Sequence, residues 1–248
     1  MNIRIAIGRR EFAPSWLMTA ATVLLLGLFV SLGRWQWTRG DFKQGLQDQF
    51  ERGGESALPL GSQSSSALQR FSRVSVSGRW EGARQFLLDN RTRDGRAGYE
   101  VLTPLQLEDG RWLIVNRGWV PFSGYRERLP DIALPPPESS SLAVALRGRL
   151  DDLPSAGLAS GRAAPEMAGR WPRVTTYPTI AELAGSLAID SLEPRVLLLD
   201  ADQPDGYLRD WQPPGMSPQT HWSYAIQWWS FGVLLIVLYV VLNLRKVR

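Results

Sequence analysis

The stretch FAPSWLMTAATVLLLGLFVSLG, residues 12–33, carries no charged side chain. As a helix rising 1.5 Å per residue it would reach about 33 Å, and the hydrocarbon core of a bilayer is about 30 Å thick. A second run, Trp211 to Leu244, holds no Asp, Glu, Lys or Arg; its ionisable groups are His221 and two tyrosines. Two such runs near the ends of a 248-residue chain predict transmembrane helices at 12–33 and 222–244 and argue against a fully soluble protein. The first run exceeds the roughly 7–15 apolar residues of a signal peptide, and no A-x-A cleavage pattern follows it. Trp16 at one end, and Trp35 and Trp37 at the other, match the interfacial aromatic belt of a retained helix.

Charge orients the two spans. Arg4, Arg9 and Arg10 precede the first, and Arg245, Lys246 and Arg248 follow the second. The positive-inside rule therefore places the tails 1–11 and 245–248 in the cytoplasm and residues 34–221 on the opposite side. The chain has 28 Lys+Arg against 24 Asp+Glu, for a net charge of +4. Setting aside the six basic tail residues and Glu11 leaves 22 basic and 23 acidic residues between the spans. That region is near neutral and lacks the net positive charge expected of a nucleic-acid-binding domain, so membrane lipid, not nucleic acid, is the expected partner. The absence of Cys excludes disulfides, thiolate metal sites and thiol nucleophiles, and the single His excludes multi-histidine metal clusters. Lys43 and Lys246 are the two lysines, and neither lies in a P-loop.

Between the spans the pattern predicts a β-rich, mainly antiparallel α+β domain with a leading helix at about 38–52, where Phe42, Leu46 and Phe50 form one stripe. Gly53-Gly54 ends that helix, and 59–66 reads as a loop. Val74 and Val76 alternate with serines, as in a half-buried strand. Asp94-Gly95 and Asp109-Gly110 each signal a hairpin, and Trp112–Val115 reads as a central strand. Pro104 suits an edge or bulge. Leu142–Leu146 and Val196–Leu199 are further strands. Pro135-Pro136-Pro137 is a stiff connection, and 153–170 is rich in small residues. Thr179 and Glu182 offer a capping box for a short helix over 177–187.

Three groups of residues carry candidate chemistry. His221, Tyr224, Ala225 and Trp228 recur at i, i+3, i+4 and i+7, so they share a helix face with one imidazole, two flat aromatics and a small residue where a planar ligand can approach. Imidazole is an axial ligand of haem iron; an interfacial aromatic belt explains the same pattern. Gln36, Arg39 and Lys43 line another face, suited to lipid phosphates or haem propionates, or to simple snorkelling. Asn116-Arg117-Gly118-Trp119-Val120-Pro121 reads as a strand with a bulge or edge, placing Arg117 and Trp119 on one face. The acidic residues leave a carboxylate-based hydrolase open as a further class.

These motifs resemble the Surfeit-locus (Surf-one, Shy-one) family of cytochrome oxidase assembly factors. The resemblance rests on Gly33-x-Trp35-Gln36-x-x-Arg39-x-x-x-Lys43 and Gly78-x-Trp80. It continues through Gly98-Tyr99-x-Val101-x-Thr103-Pro104, Asn116 to Pro121, and His221-x-x-Tyr224-Ala225-x-Gln227-Trp228, in that order along the chain. Gln219-Thr220 stand here where many members have Asn before the histidine. The resemblance implies an inner-membrane protein with a periplasmic domain that assists biogenesis of haem-copper oxidases. It implies haem, of type a in bacterial members, bound at His221, with Tyr224, Trp228, Arg39 and Lys43 as the surrounding site. Gly98, Asn116, Arg117, Gly118, Trp119 and Pro121 are its structural motif. The implied partners are the catalytic oxidase subunit and haem-synthesis enzymes, and no covalent catalysis is expected. A scaffold that holds an oxidase intermediate without a cofactor is the alternative.

Alkaline phosphatase fused at residue 130 is expected to be active, and a fluorescent reporter that folds only in the cytoplasm is expected to stay dark there. The reverse pattern would overturn the orientation.

Overall fold

The computed structural model describes residues 5–7, 10–53, 57–61, 63–134, 143–156, 162–167 and 169–246. The expectations placed on Arg4, Arg9, Gly54, Pro135–Pro137, Leu142, Arg248 and part of 153–170 lie outside the described residues. Along the chain come β1 (Ile5–Ile7), β2 (Arg10–Phe12), α1 (Trp16–Arg52), β3 (Leu58–Pro59), β4 (Arg73–Trp80), β5 (Phe86–Arg93), β6 (Arg96–Leu107) and β7 (Trp112–Pro121). Then follow β8 (Val144–Asp151), β9 (Arg173–Thr175), α2 (Ile180–Leu187), β10 (Leu192–Leu199), α3 (Pro218–Asn243) and β11 (Leu244–Lys246). They form two compact units, one of residues 1–48 with 213–248 and one of residues 49–212.

The first unit is an antiparallel helix pair. The apolar run and the leading helix expected at 38–52 are one continuous helix of 37 residues, about 55 Å long. It starts at Trp16 rather than Phe12, because Pro14 keeps the preceding residue extended and Ser15 Oγ accepts from the Met18 amide at 3.2 Å. Both α1 and α3 are long and apolar enough to cross a membrane, and only 6% and 11% of their most apolar windows are buried. An apolar helix of a soluble core would be mostly buried. Trp229 lies against Gly33, Trp222 against Gly40, and Gly232 against Leu26. Tyr239 bonds Thr19 at 2.7 Å and packs edge-on to Phe12. At that end β2 pairs with β1 and β11, with Leu244 opposite Phe12 and Arg245 opposite Glu11. Residues 10–12 and 244–246 therefore meet at one end of the helix pair.

The second unit is a closed barrel with additions. Strand neighbours run β4–β8–β10–β7–β6, and β6 returns to β4 through Gly78↔Leu107 to Trp80↔Leu105. All pairings in this ring are antiparallel except β10 with β7. Alternate residues point inward, and the interior is filled by Val74, Val76, Leu105, Leu107, Leu113, Val115, Leu146, Leu150, Leu197 and Leu199. Closure needs Gly78: a Cβ there would lie 2.4 Å from the Gln106 carbonyl oxygen. Pro104 sits in the centre of the sheet, opposite Ile114 of β7. Its other edge falls between the β5 partner, which ends at Leu102, and the β4 partner, which begins at Leu105, so the missing N–H costs no ladder bond.

Local chemistry sets the connections. Asp94 and Gly95 have φ of 49° and 74°, the left-handed pair of a two-residue hairpin turn. Gly110, at φ 85°, closes the next hairpin. Thr179 and Glu182 form a reciprocal capping box at the start of α2. That helix sets Leu183 and Leu187 on the outer sheet face made by Phe86, Leu88, Leu102, Ile114, Val196 and Leu198.

Gly78→Val is expected to lower the thermal midpoint of the full-length protein in detergent by more than Thr179→Ala does. The first forces the β4–β6 seam apart, at a typical cost of ~1–3 kcal/mol. The second removes one cap, at about 1 kcal/mol. Circular dichroism melts of the two variants measure the order.

Candidate functional site

Ser217 and Pro218 start α3 four residues earlier than the expected span at 222: the Ser217 hydroxyl accepts from the Thr220 amide, and proline takes the first helical position. His221 therefore stands in the first turn of the helix. The glycines at 33 and 40 let α1 approach closely, and His221 is 7% exposed. Its Nδ1 lies 2.9 Å from Gln36 Oε1. An amide oxygen only accepts, so Nδ1 is the donor, and in the neutral ring the lone pair is on Nε2. Nε2 has no hydrogen-bond partner among the described residues and is not among the buried side-chain atoms sealed from solvent.

The other expected site residues do not converge on this nitrogen. Ala225 is fully buried, so the small residue expected to admit a planar ligand is covered by α1 instead. Tyr224 is 45% exposed on the flank. Trp228 stacks on Phe29 with ring centroids 5.9 Å apart. Arg39 lies over the Phe42 ring, and Lys43 Nζ donates to the Pro214 carbonyl at 2.6 Å. That bond ties the loop ahead of α3 to α1, where Gly215 takes φ 95° beneath the ammonium. Gln36 belongs with His221, not with a propionate-binding face shared with Arg39 and Lys43. Spacing along α1 alone did not reveal this, because the partner lies across the helix pair. Among the described residues no three His, Asp or Glu side chains gather to hold a bare metal ion.

The Asn116–Pro121 segment builds a second, separate cluster. Its strand is bulged: Glu100 pairs with Trp119 and Leu102 with Asn116, so Val101 faces both Arg117 and Gly118. The extra residue inverts the alternation, and Arg117 and Trp119 point to opposite faces, not to one face as strict alternation predicts. Trp119 covers Gly98 and donates from Nε1 to the Arg91 carbonyl at 3.1 Å. Asn116, on the same side, donates to Glu100 at 2.7 Å and accepts from the Gly118 amide. Gly118 takes φ 112°, and a Cβ on it would meet the Leu208 carbonyl oxygen at 2.8 Å. Pro121 ends the strand opposite Gly98.

Arg117 turns inward and is 2% exposed. Its guanidinium donates to the Asp205 carbonyl at 2.7 Å, Gln85 Oε1 at 3.0 Å and the Ile132 carbonyl at 3.2 Å, and lies over the Tyr207 ring. Burial pushes its pKa below the ordinary arginine value. Neutral acceptors thus carry the buried charge, and in doing so bind the 132 and 205 loops to β7.

A family model described as the SURF1 family matches residues 23–233, from within α1 to within α3. The chain belongs to the SURF1 family. That family is known generally for oxidase assembly factors. An uncharacterized SURF1-like protein of Mycobacterium bovis is 28% identical over 235 residues, covering 89% of this chain and 80% of its own. An uncharacterized SURF1-like protein of Mycobacterium tuberculosis matches to the same extent. A SURF1-like protein of Dictyostelium discoideum is 35% identical over 112 residues, 38% of this chain and 40% of its own. In this SURF1-family chain the Asn116–Pro121 motif is a loop-binding latch, and His221 pairs with Gln36 across the two helices.

Arg117→Ala is expected to destabilise the 49–212 unit by ~2–4 kcal/mol, since the Asp205 carbonyl loses its donor and Gln85 Oε1 and the Ile132 carbonyl each lose one of two. Arg117→Lys should not restore it, because one ammonium cannot reach the same fork of acceptors. Gly118→Val should also be damaging, and His221→Ala should leave the fold intact. Limited proteolysis of the four variants measures this; equal resistance throughout would remove the structural role of the motif.

Proposed function

We propose that this chain is a two-span inner-membrane assembly factor of haem-copper oxidases, with both termini cytoplasmic and residues 34–221 periplasmic. In this reading it carries haem as cargo at His221 and releases it to the catalytic subunit, receiving it from haem-synthesis enzymes. It makes and breaks no covalent bond. One observation carries the haem reading: a buried imidazole whose Nδ1 faces an amide oxygen at 2.9 Å and whose Nε2 has no hydrogen-bond partner among the described residues. That is the arrangement of a metal-ligating histidine with its outer hydrogen bond in place. Haem iron, when present, supplies an electrophilic centre that such a nitrogen ligates. Family membership and the two apolar helices support the membrane and assembly parts.

The fit is to the iron more than to the propionates. Arg39 is exposed on α1, over Phe42, and Lys43 is spent on Pro214. The burial of Ala225 favours the second reading, a scaffold that holds an oxidase intermediate without cofactor. With one histidine in the chain, a second imidazole ligand would come from a second copy of this chain or from a partner protein.

A haem titration in detergent at fixed pH separates the two readings. Wild-type protein is expected to give a Soret band, His221→Ala to lose it, and Arg39→Ala to weaken binding while keeping the spectral type. Wild-type spectra and affinity in His221→Ala would sink the ligand assignment and leave the scaffold.

A further inference from the structure

We infer that Gln36 is a positioning residue that locks the tautomer of His221. A neutral histidine exists in two forms, and only the nitrogen without hydrogen can ligate a metal or accept a proton. In the helix pair the choice is made from across the interface. Gln36 stands between Gly33 and Gly40 along α1, the two positions where α3 indoles lie against the helix backbone. Those contacts fix the axial register of the pair, and with it the 2.9 Å separation of Gln36 Oε1 from His221 Nδ1. With the amide oxygen as the facing atom, Nδ1 is held as the N–H, and the neutral ring keeps its lone pair on Nε2. The same bond fixes the ring plane about its Cβ–Cγ axis, so Nε2 is presented in one direction instead of sampling several.

A leucine at position 36 would leave the ring packed but take away the acceptor. A glutamate would keep an acceptor at the same reach. The ligand part of this inference rests on the reading under Proposed function; the tautomer part does not.

The chain has one histidine, so ¹⁵N-histidine labelling of the full-length protein in detergent gives a single imidazole to read. In wild type without haem, Nδ1 is expected to carry a pyrrole-type shift and Nε2 a pyridine-type shift. Gln36→Leu should turn this into a mixture of the two forms, and Gln36→Glu should restore the Nδ1–H form. In a haem titration, Gln36→Leu should weaken affinity on the order of tenfold, the lower end of what outer hydrogen-bond partners of metal-ligating histidines contribute, and Gln36→Glu should recover it. A wild-type protein with Nε2 protonated overturns the inference, whatever the variants do. So does a Gln36→Leu spectrum identical to wild type. The stated wild-type tautomer with no haem binding defeats the haem reading alone and leaves the positioning role of Gln36 supported.

Discussion

The close approach of α1 and α3 is the constraint on which the helix unit depends. Neither helix brings a polar seam long enough to hold a partner; what they bring is shape. Gly33 and Gly40 are seven residues apart on one helix, Trp229 and Trp222 seven apart on the other, and each indole fills the space a side chain would have taken. Trp37 reaches between the two, with ring centroids 6.0 and 5.7 Å away. In a lipid environment the hydrophobic effect does not drive helices together, so packing of this kind and a few interhelical hydrogen bonds set the register. Here they are Thr19 with Tyr239, Trp222 with Asp41, and Gln36 with His221.

In the other unit the corresponding constraint is ring closure. A five-stranded ring with one parallel seam has little tolerance for side chains where strands cross, which is why Gly78 and Gly148 both face a carbonyl of a neighbouring strand. The bulge at Arg117–Gly118 uses the same freedom to a different end: it turns one side of β7 outward and sends a guanidinium inward to gather loops. A hydrophobic residue at 117 would bury as well but would take from the Asp205 carbonyl its donor and leave the Ile132 carbonyl held by Gln85 Nε2 alone.

Much of this was legible in the sequence. The apolar runs, both Asp-Gly turns, the Thr179 cap and the half-buried β4 all depend on residues close together in the chain, and their periodicity or turn chemistry suffices. What was not legible depends on a partner far away. Strict alternation put Arg117 and Trp119 on one side; a single added residue reversed that, and the glycine that permits it reads equally as an edge. Helical spacing placed His221, Tyr224, Ala225 and Trp228 on one arc correctly as geometry, but could not say that α1 would cover Ala225 and leave Tyr224 outside. Gln36 was seen beside Arg39 and Lys43 because they are near in sequence, while its hydrogen-bond partner is 185 residues away.

The parallel seam has a consequence in time. β10 lies between β8 and β7, and it is the last stave of the barrel to be made. Until Leu192–Leu199 has left the ribosome, β7 and β8 each show an unpaired edge, and Leu197 and Leu199 are missing from the interior they help to fill. Pairings between such distant segments form slowly, and open edges of this kind invite pairing with other chains. A nascent chain halted anywhere before residue 192 is thus no shortened version of the domain. It is an opened sheet with two adhesive borders, and its survival depends on how quickly the remaining residues arrive.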